Sequence, residues 1–306
     1  MEPRHASWIA RPRPKREGVS AQPPLRPAEP ARHGTLPRPM PVQDAAAYER
    51  AVQQRRARAR ALAAAVAGEG PWLSMIVPAY EEETRILPTL LSVTLYLREL
   101  DPRFEVIVVD DGSRDATPEV VLAFAAAHPE VRLVRLERNR GKGAAVRAGM
   151  QSARGAWLLM NDADGATPVT ELERLLEAAA GGAAVVIGSR ALHAPDVRIE
   201  RHVARLVIGR VFAWLVRALV VPGIADTQCG FKLFRRDAAQ RIFGEQRLER
   251  YGFDVELLYL AHRAGFPIRE VAVNWNHVAG SKVGLWSGLD GFADVFRVRW
   301  LHRRGR

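Results

Sequence analysis

Apolar runs that break repeatedly into polar loops, with helical stretches between them, constrain this chain more than any other feature. Leu73–Val77 runs into Val77-Pro78-Ala79-Tyr80, and Phe104–Val109 into Asp110-Asp111-Gly112-Ser113. Ala156–Met160 runs into Asn161-Asp162-Ala163-Asp164-Gly165, and the turn Asn139-Arg140-Gly141-Lys142-Gly143 lies between the second and third of these loops. Ile86–Leu100, Thr117–Ala127, Gly143–Ala153 and Val169–Ala180 have helical spacing, while Val131–Leu136 and Ala183–Ile187 are further short apolar runs. Strands alternating with helices predict βαβ units and a mainly parallel sheet flanked by helices. Such a sheet holds its ligand beyond the carboxyl ends of its strands, where these loops lie. Farther on, Gly230–Phe234 and Ile268–Trp275 read as strands, and Phe253–Ala264 and Leu285–Leu301 as helices.

The chemistry of the loops is narrow. Asp162 and Asp164, spaced i, i+2 on a tight turn, can grip one hard cation such as Mg²⁺ or Mn²⁺, which in turn bridges phosphate oxygens. A carboxylate at Asp110 or Asp111 can accept hydrogen bonds from a base N–H or a ribose hydroxyl; an Asx turn or helix cap is the structural alternative, and one Asp can do each job. Gly141-Lys142-Gly143 has the composition of a phosphate loop. It has neither the Gly-x-x-x-x-Gly-Lys-Ser/Thr spacing nor a third glycine, since Val146 stands there, so a P-loop ATPase is excluded and a dinucleotide fold disfavoured. Lys142 can still meet a phosphate at the amide end of the helix that follows. Arg190 follows the fifth run, and Arg201 and Arg205 fall one turn apart on one helical face. Three guanidiniums there suit a phosphate monoester anchored in lipid; idle surface salt bridges are the alternative.

Charge separates the ends of the chain. Of its net +11, residues 1–70 carry +7. Residues 3–41 are rich in Pro and Arg with few large apolar side chains, and read as a disordered leader. Residues 44–67 are Ala- and Arg-rich and predict an exposed helix, and the domain proper is expected over 71–306. A basic leader invites an acidic partner, either nucleic acid or anionic lipid, but the chain has no recognised nucleic-acid-reading motif, so no specific nucleic-acid partner is expected. Cys229 is the single cysteine, which excludes an intrachain disulfide, and no apolar signal-peptide core stands near the N-terminus. A cytoplasmic setting is expected.

Residues 200–221 are apolar but interrupted by Arg201, Arg205, Arg210 and Arg217. Each central Arg opposes membrane insertion by about 2.5–3.5 kcal/mol, against roughly 0.3–0.6 kcal/mol gained per Leu, Ile, Val or Phe. An amphipathic helix lying in the interface, with Phe212, Trp214 and Leu215 inserted, fits better than a spanning one; an ordinary buried helix is the alternative. Leu285–Leu301, which bears Trp286 and Trp300 and runs into Arg303, Arg304 and Arg306, can lean on a membrane in the same way or stand as a solvated helix end.

These motifs resemble family 2 glycosyltransferases of the GT-A fold. Asp162-Ala163-Asp164-Gly165-Ala166-Thr167-Pro168, Gly188-Ser189-Arg190, Asp226-Thr227-Gln228-Cys229-Gly230-Phe231-Lys232-Leu233-Phe234, Gly252-Phe253-Asp254-Val255-Glu256-Leu257-Leu258-Tyr259 and Val273-Asn274-Trp275 sharpen the resemblance to dolichyl-phosphate (polyprenyl-phosphate) β-glucosyltransferases over roughly residues 72–300. The resemblance implies transfer of glucose from UDP-glucose to a polyprenyl phosphate with inversion, at the cytoplasmic face of a membrane. It implies Mg²⁺ or Mn²⁺ at Asp162 and Asp164, uridine near Pro78, Tyr80, Glu82 and Asp110, and the acceptor phosphate near Arg190 and the arginines after it. Asp164, Arg190 and Asp254 are then the expected catalytic residues, with an orienting salt bridge as the alternative for Asp254 and Glu256. Many relatives have Asn where Glu81 stands. Mannosyl-transferring relatives often have Leu-Gln where Gly165-Ala166 stands, which favours glucose; mannose, or another donor or acceptor, is the alternative.

Overall fold

The structure, a computed structural model, describes residues 45–66, 68–194, 196–197, 216, 220–250, 252–276 and 286–303. They form a three-layer α/β unit on a seven-stranded sheet of order β3-β2-β1-β4-β6-β5-β7. The strands are β1 (Leu73–Ala79), β2 (Phe104–Asp110), β3 (Val131–Arg135), β4 (Trp157–Met160), β5 (Val185–Ser189), β6 (Lys232–Arg235) and β7 (Ile268–Ala272). The helices are α1 (Ala45–Ala64), α2 (Ile86–Leu100), α3 (Thr117–Ala127), α4 (Lys142–Ser152), α5 (Leu172–Ala180), α6 (Arg236–Glu245), α7 (Phe253–Arg263) and α8 (Trp286–Leu301).

β1 and β2 are buried on both faces, as parallel strands covered by helices are. Met75, Val77, Val106 and Val108 point into one core with α1, α2, α3 and α5. Ile76, Ile107 and Val109, one residue out of phase, point into a second core with α4, α6, α7 and α8. Strand alternation thus divides one apolar run between two layers. The helices predicted at 86–100 and 117–127 have those bounds. β7 ends at Ala272 rather than at Trp275, and β5 is displaced toward Ser189, because its pairing with β7 runs on through Gly188 and Ser189.

β6 runs antiparallel to both β4 and β5, an inversion the apolar pattern did not signal. Its first residue, Lys232, is therefore opposite Met160 and Ile187, at the carboxyl ends of its neighbours. An antiparallel strand brings its amino end to the edge where parallel strands end, so residues 226–232 reach the edge that carries Asp162 and Arg190.

The exposed helix predicted at 44–67 forms over Ala45–Ala64 and is exposed along much of its length, but one face is seated on the domain. Ala59 and Ala63 are buried, and Leu62 and Val66 pack on the core. Arg58 meets Glu177 at 2.6 Å, Arg55 lies 3.5 Å from Asp196, Arg56 pairs with Glu99, and Arg60 Nε donates to the Glu99 carbonyl at 3.1 Å. Arg56 also stands 5.5 Å over the Tyr96 ring. The four arginines closest to the domain thus have acidic or carbonyl partners within the chain. The interfacial helix expected at 200–221 lies outside the described residues except for Val216, Val220 and Val221, which are buried in the second core. No helix among the described residues is long and apolar enough to cross a membrane.

Candidate active site

The carboxyl edge of β1, β2, β4 and β5, with the amino end of β6, gathers the loops that carry the acidic and basic motifs. After β1 the chain turns sharply at Glu81, which has φ 53°. Its amide donates to Ser113 Oγ at 2.8 Å, and the Glu82 amide to Thr117 Oγ1 at 2.7 Å. The left-handed region favours Asn over Glu, so Glu81 sits in a backbone conformation that its side chain does not favour. Glu82 holds Arg85 by two hydrogen bonds of 2.7 and 2.6 Å. Pro78 and Tyr80 line the same turn and are partly exposed.

Asp110 and Asp111 both have structural bonds. Asp110 Oδ1 accepts from the Ser113 amide at 3.1 Å, the Asx turn weighed above, and Arg135 lies 3.2 Å from its other oxygen. Asp111 accepts from the amides of Arg140 and Gly141, each at 2.8 Å, and so ties the Gly-Lys-Gly turn to the loop after β2. Gly141 caps α4 with φ 109°, and a Cβ there would stand 2.6 Å from the Glu249 carbonyl oxygen, so glycine is required.

Lys142 is the first residue of α4, and its Nζ lies 2.6 Å from Asp162 Oδ1. Asp164 Oδ1 accepts from the Ala166 amide at 3.0 Å, closing the turn through Gly165 at φ 66°. Burial alone would push the Asp162 carboxyl up; Lys142, then Lys232 and Arg190, hold it below its ordinary range. Asp164 goes the other way, raised by burial and by the negative charge of Asp162. Burial works against the Lys142 ammonium, but Asp162 and Asp254 outweigh it and keep its proton on. The donor set fits a hard divalent cation. It offers two partly exposed carboxylates on one turn, a chain-borne cation already beside one of them, and a raised Asp164 whose charge a metal would relieve. The described residues hold no cluster of three or more His, Cys, Asp or Glu side chains suited to a metal. Phosphate and water would complete the shell, as is common for Mg²⁺ and Mn²⁺.

Arg190 follows β5 and is clamped. Its amide, Nε and Nη2 donate to Asp226 at 3.0, 2.8 and 3.0 Å, and its guanidinium lies 5.7 Å over the Trp275 ring. The Ala225 and Asp226 amides donate to Glu270 at 2.8 and 2.7 Å, so the carboxylate that orients Arg190 is itself tethered to β7. Arg201 and Arg205 lie outside the described residues.

Three residues with no role read from sequence complete the edge. Lys232 is fully buried; its Nζ donates to the Cys229 carbonyl at 2.6 Å and pairs with Asp254 on the first turn of α7. Asp254 is thus the counter-ion of a buried ammonium. Gly230 lies directly under Asp162: a Cβ there would stand 2.1 Å from Asp162 Oδ2. Asp226 clamps Arg190 as described. A lysine between Phe231 and Leu233 in an apolar strand was the one signal in the sequence that could have pointed to Lys232. Glu256 is not at this edge; it accepts the Arg247 and Leu248 amides at 2.9 and 2.8 Å and meets His302 Nε2 at 2.6 Å, joining α7, α8 and the loop between α6 and α7. Burial and then Asp226 push the Cys229 thiol up to about 11, which leaves it protonated and unreactive near neutral pH.

A family model described as Glycosyl transferase family 2 matches residues 74–243. The human dolichyl-phosphate beta-glucosyltransferase is 44% identical over 248 residues, 76% of this chain and 76% of its own length. Those of Drosophila melanogaster and Saccharomyces cerevisiae are 45% and 38% identical, covering 75% and 70% of this chain and 74% and 70% of theirs. Among solved structures, glucosyl-3-phosphoglycerate synthase of Mycobacterium tuberculosis superposes with a TM-score of 0.57 at 21% identity, over 81% of this chain and 84% of that one. A structure of the same synthase with Mn²⁺, UDP-glucose and phosphoglyceric acid gives 0.56 at 20% identity, covering 81% and 83%. A mannosyltransferase of Pyrobaculum calidifontis with GDP-mannose and Mn²⁺ gives 0.52 at 20% identity, covering 85% and 74%.

Proposed function

The chain belongs to glycosyl transferase family 2, and on that premise we propose that it moves glucose from UDP-glucose to a polyprenyl phosphate of the dolichyl type, with inversion at the anomeric carbon. The observation that carries the reading is Lys142 beside Asp162 and Asp164 at the carboxyl edge of the sheet. The matched relatives are named for glucosyl transfer to dolichyl phosphate, which supports the acceptor class. The neighbour that holds UDP-glucose and Mn²⁺ supports the donor and the metal.

The acceptor is a phosphate monoester, already ionised near neutral pH, so it needs no base on the enzyme. One phosphate oxygen attacks C1 of glucose as the bond from C1 to the β-phosphate oxygen breaks, and a single displacement inverts the centre. Lys142 and the carboxylates at Asp162 and Asp164 face the departing UDP; Mg²⁺ or Mn²⁺ at that pair supplies charge neutralisation of the diphosphate. Arg190, oriented by Asp226 and stacked near Trp275, brings a fixed positive charge to the acceptor phosphate. Lys232 holds Asp254 as its ion-pair partner, so Asp254 acts as a positioning residue behind Lys142 and Asp162. Pro78, Tyr80 and Glu82 around the turn after β1, with Asp110 at the end of the neighbouring β2, receive uridine. A lipid acceptor brings peripheral contact with the cytoplasmic face of a membrane.

Radiolabelled glucose presented as UDP-glucose with a short-chain polyprenyl phosphate and Mn²⁺ or Mg²⁺ tests the reading. Label passing into the lipid phase with the wild type and not with Asp164→Ala is the expected result. Binding of UDP-glucose without lipid labelling would overturn the acceptor; no binding would overturn the donor.

A further inference from the structure

The outer face of α8 carries the most exposed large apolar side chain among the described residues. Trp300 is 72% exposed and Phe296, one turn before it, 59%. The two share one helical face. Arg297, Arg299 and Arg303 flank them, all exposed. The single acidic residue in the stretch 293–303, Asp294, packs against Gly252, where a Cβ would come 2.2 Å from its Oδ2, and its other oxygen lies 3.9 Å from Arg297, whose side chain stays 63% exposed.

The opposite face of α8 is firmly seated. Val295 and Val298 are fully buried in the second core, and His302 meets Glu256 at 2.6 Å. Arg247 and Arg263 donate to the Leu301 and His302 carbonyls at 2.9 and 3.0 Å. The aromatic pair is therefore presented from a fixed platform, and docking it orders little that is not already ordered. Gly252 begins the turn into α7, whose first turn carries Asp254, so the platform is built onto the element that meets Lys232 at the site edge.

We propose that this face of α8 is a docking surface for anionic lipid: Trp300 and Phe296 enter the headgroup boundary, and Arg297, Arg299 and Arg303 meet lipid phosphates. Charge complementarity selects the partner, because exposed aromatic residues flanked by three exposed arginines, against one largely buried acid among the described side chains, match the interfacial pattern of apolar insertion plus basic attraction. The proposal rests on the reading that the acceptor is a membrane lipid, and gives that reading a surface that holds the domain beside its substrate.

The test is co-sedimentation of the full chain with phosphatidylcholine vesicles, with and without one-third phosphatidylglycerol, for wild type, Phe296→Ser/Trp300→Ser and Arg297→Gln/Arg299→Gln/Arg303→Gln. The aromatic variant is expected to bind the mixed vesicles at least tenfold more weakly. The arginine variant is expected to lose most of the preference for anionic vesicles, at about fivefold per basic residue. Both should keep wild-type UDP affinity and wild-type turnover of a short, water-soluble polyprenyl phosphate, and lose turnover of a long-chain acceptor embedded in vesicles. Unchanged vesicle binding in both variants would overturn the proposal. So would a wild-type dimer that becomes monomeric with the aromatic variant, since a second copy would then cover this face. If vesicle binding falls as expected but no polyprenyl phosphate is ever labelled, the surface stands and the acceptor reading fails.

Discussion

The ammonium of Lys142 lies 2.6 Å from a carboxylate oxygen of Asp162, so a cation belonging to the chain already faces the first acid of Asp162-Ala163-Asp164. A divalent cation arriving there meets a competitor of its own sign, and the diphosphate of a nucleotide gives that competitor somewhere else to go. Lys142→Ala is expected to bind Mn²⁺ more tightly than wild type in the absence of nucleotide, by roughly threefold to tenfold given partial solvent screening. UDP should bind about tenfold more weakly. Titration calorimetry of each ligand alone measures both; identical Mn²⁺ affinity in the two proteins would show that the lysine does not compete.

Gly230 carries Asp162 on its back. An added Cβ would overlap the carboxylate at 2.1 Å, and its three nearest atoms all belong to the Asp162 side chain, so the acid is the group that must move. Gly230→Ala is expected to lower kcat by about 10²-fold, the scale on which a 1 Å displacement acts, with a stability loss of only about 1–3 kcal/mol. Gly244→Ala is the control: nothing stands within 4 Å of its added Cβ, so this change in α6 should leave kcat alone and stabilise by about 0.5–1 kcal/mol.

Lys232 and Asp254 should behave as a unit. Removing either partner strands a charge in a buried site, a loss of about 3–5 kcal/mol. Lys232→Met is therefore expected to be severely destabilised, and Lys232→Met with Asp254→Asn to recover much of that loss. A thermal double-mutant cycle reads the coupling; additive losses would mean the two charges do not depend on one another.

Acid should weaken the fold through Glu105. Burial opposes its charge, but Ser74, the Arg154 amide, Arg132 and the Arg154 guanidinium together hold the carboxyl below its ordinary range. A depressed folded-state value means stability that is complete above the unfolded value, about 4.3, and is lost as pH falls through the folded one. Glu105→Gln should thus be less stable than wild type near neutral pH, and its Tm should fall less steeply below about pH 4.3. Parallel acid limbs for the two proteins would refute the assignment.

Glu81 turns with φ 53°. Glu81→Asn should raise stability by up to about 1 kcal/mol, because Asn tolerates this region better than Glu. Chemical denaturation measures the change, and a lowered midpoint would show that contacts of the Glu81 side chain outweigh the backbone gain.

Local pattern carried much of this protein. The order of strands and helices from β1 to α5, the break of β1, β2 and β4 into polar loops, and the Asp162–Asp164 turn were all legible, because strand and helix periodicities and turn chemistry are written within a few residues of one another. What the chain could not reveal locally were the partners of those residues. Glu82 with Arg85 is a near neighbour in sequence, but Asp226 with Arg190, Lys232 with Asp254, and Gly230 under Asp162 join residues far apart in the chain. They meet because β6 enters the sheet backwards, and strand direction is decided by long-range pairing rather than by the apolar run itself. The arginines of α1 show the same division. Composition marked them as free positive charge; packing against α2 and α5 gave Arg55, Arg56 and Arg58 the carboxylates of Asp196, Glu99 and Glu177. The sequence by itself determined the elements and the chemistry available at their ends. Only the tertiary structure decided which charges neutralise one another and which are left facing the cleft, because burial and distance, on which electrostatic energy depends, exist only once the layers have packed.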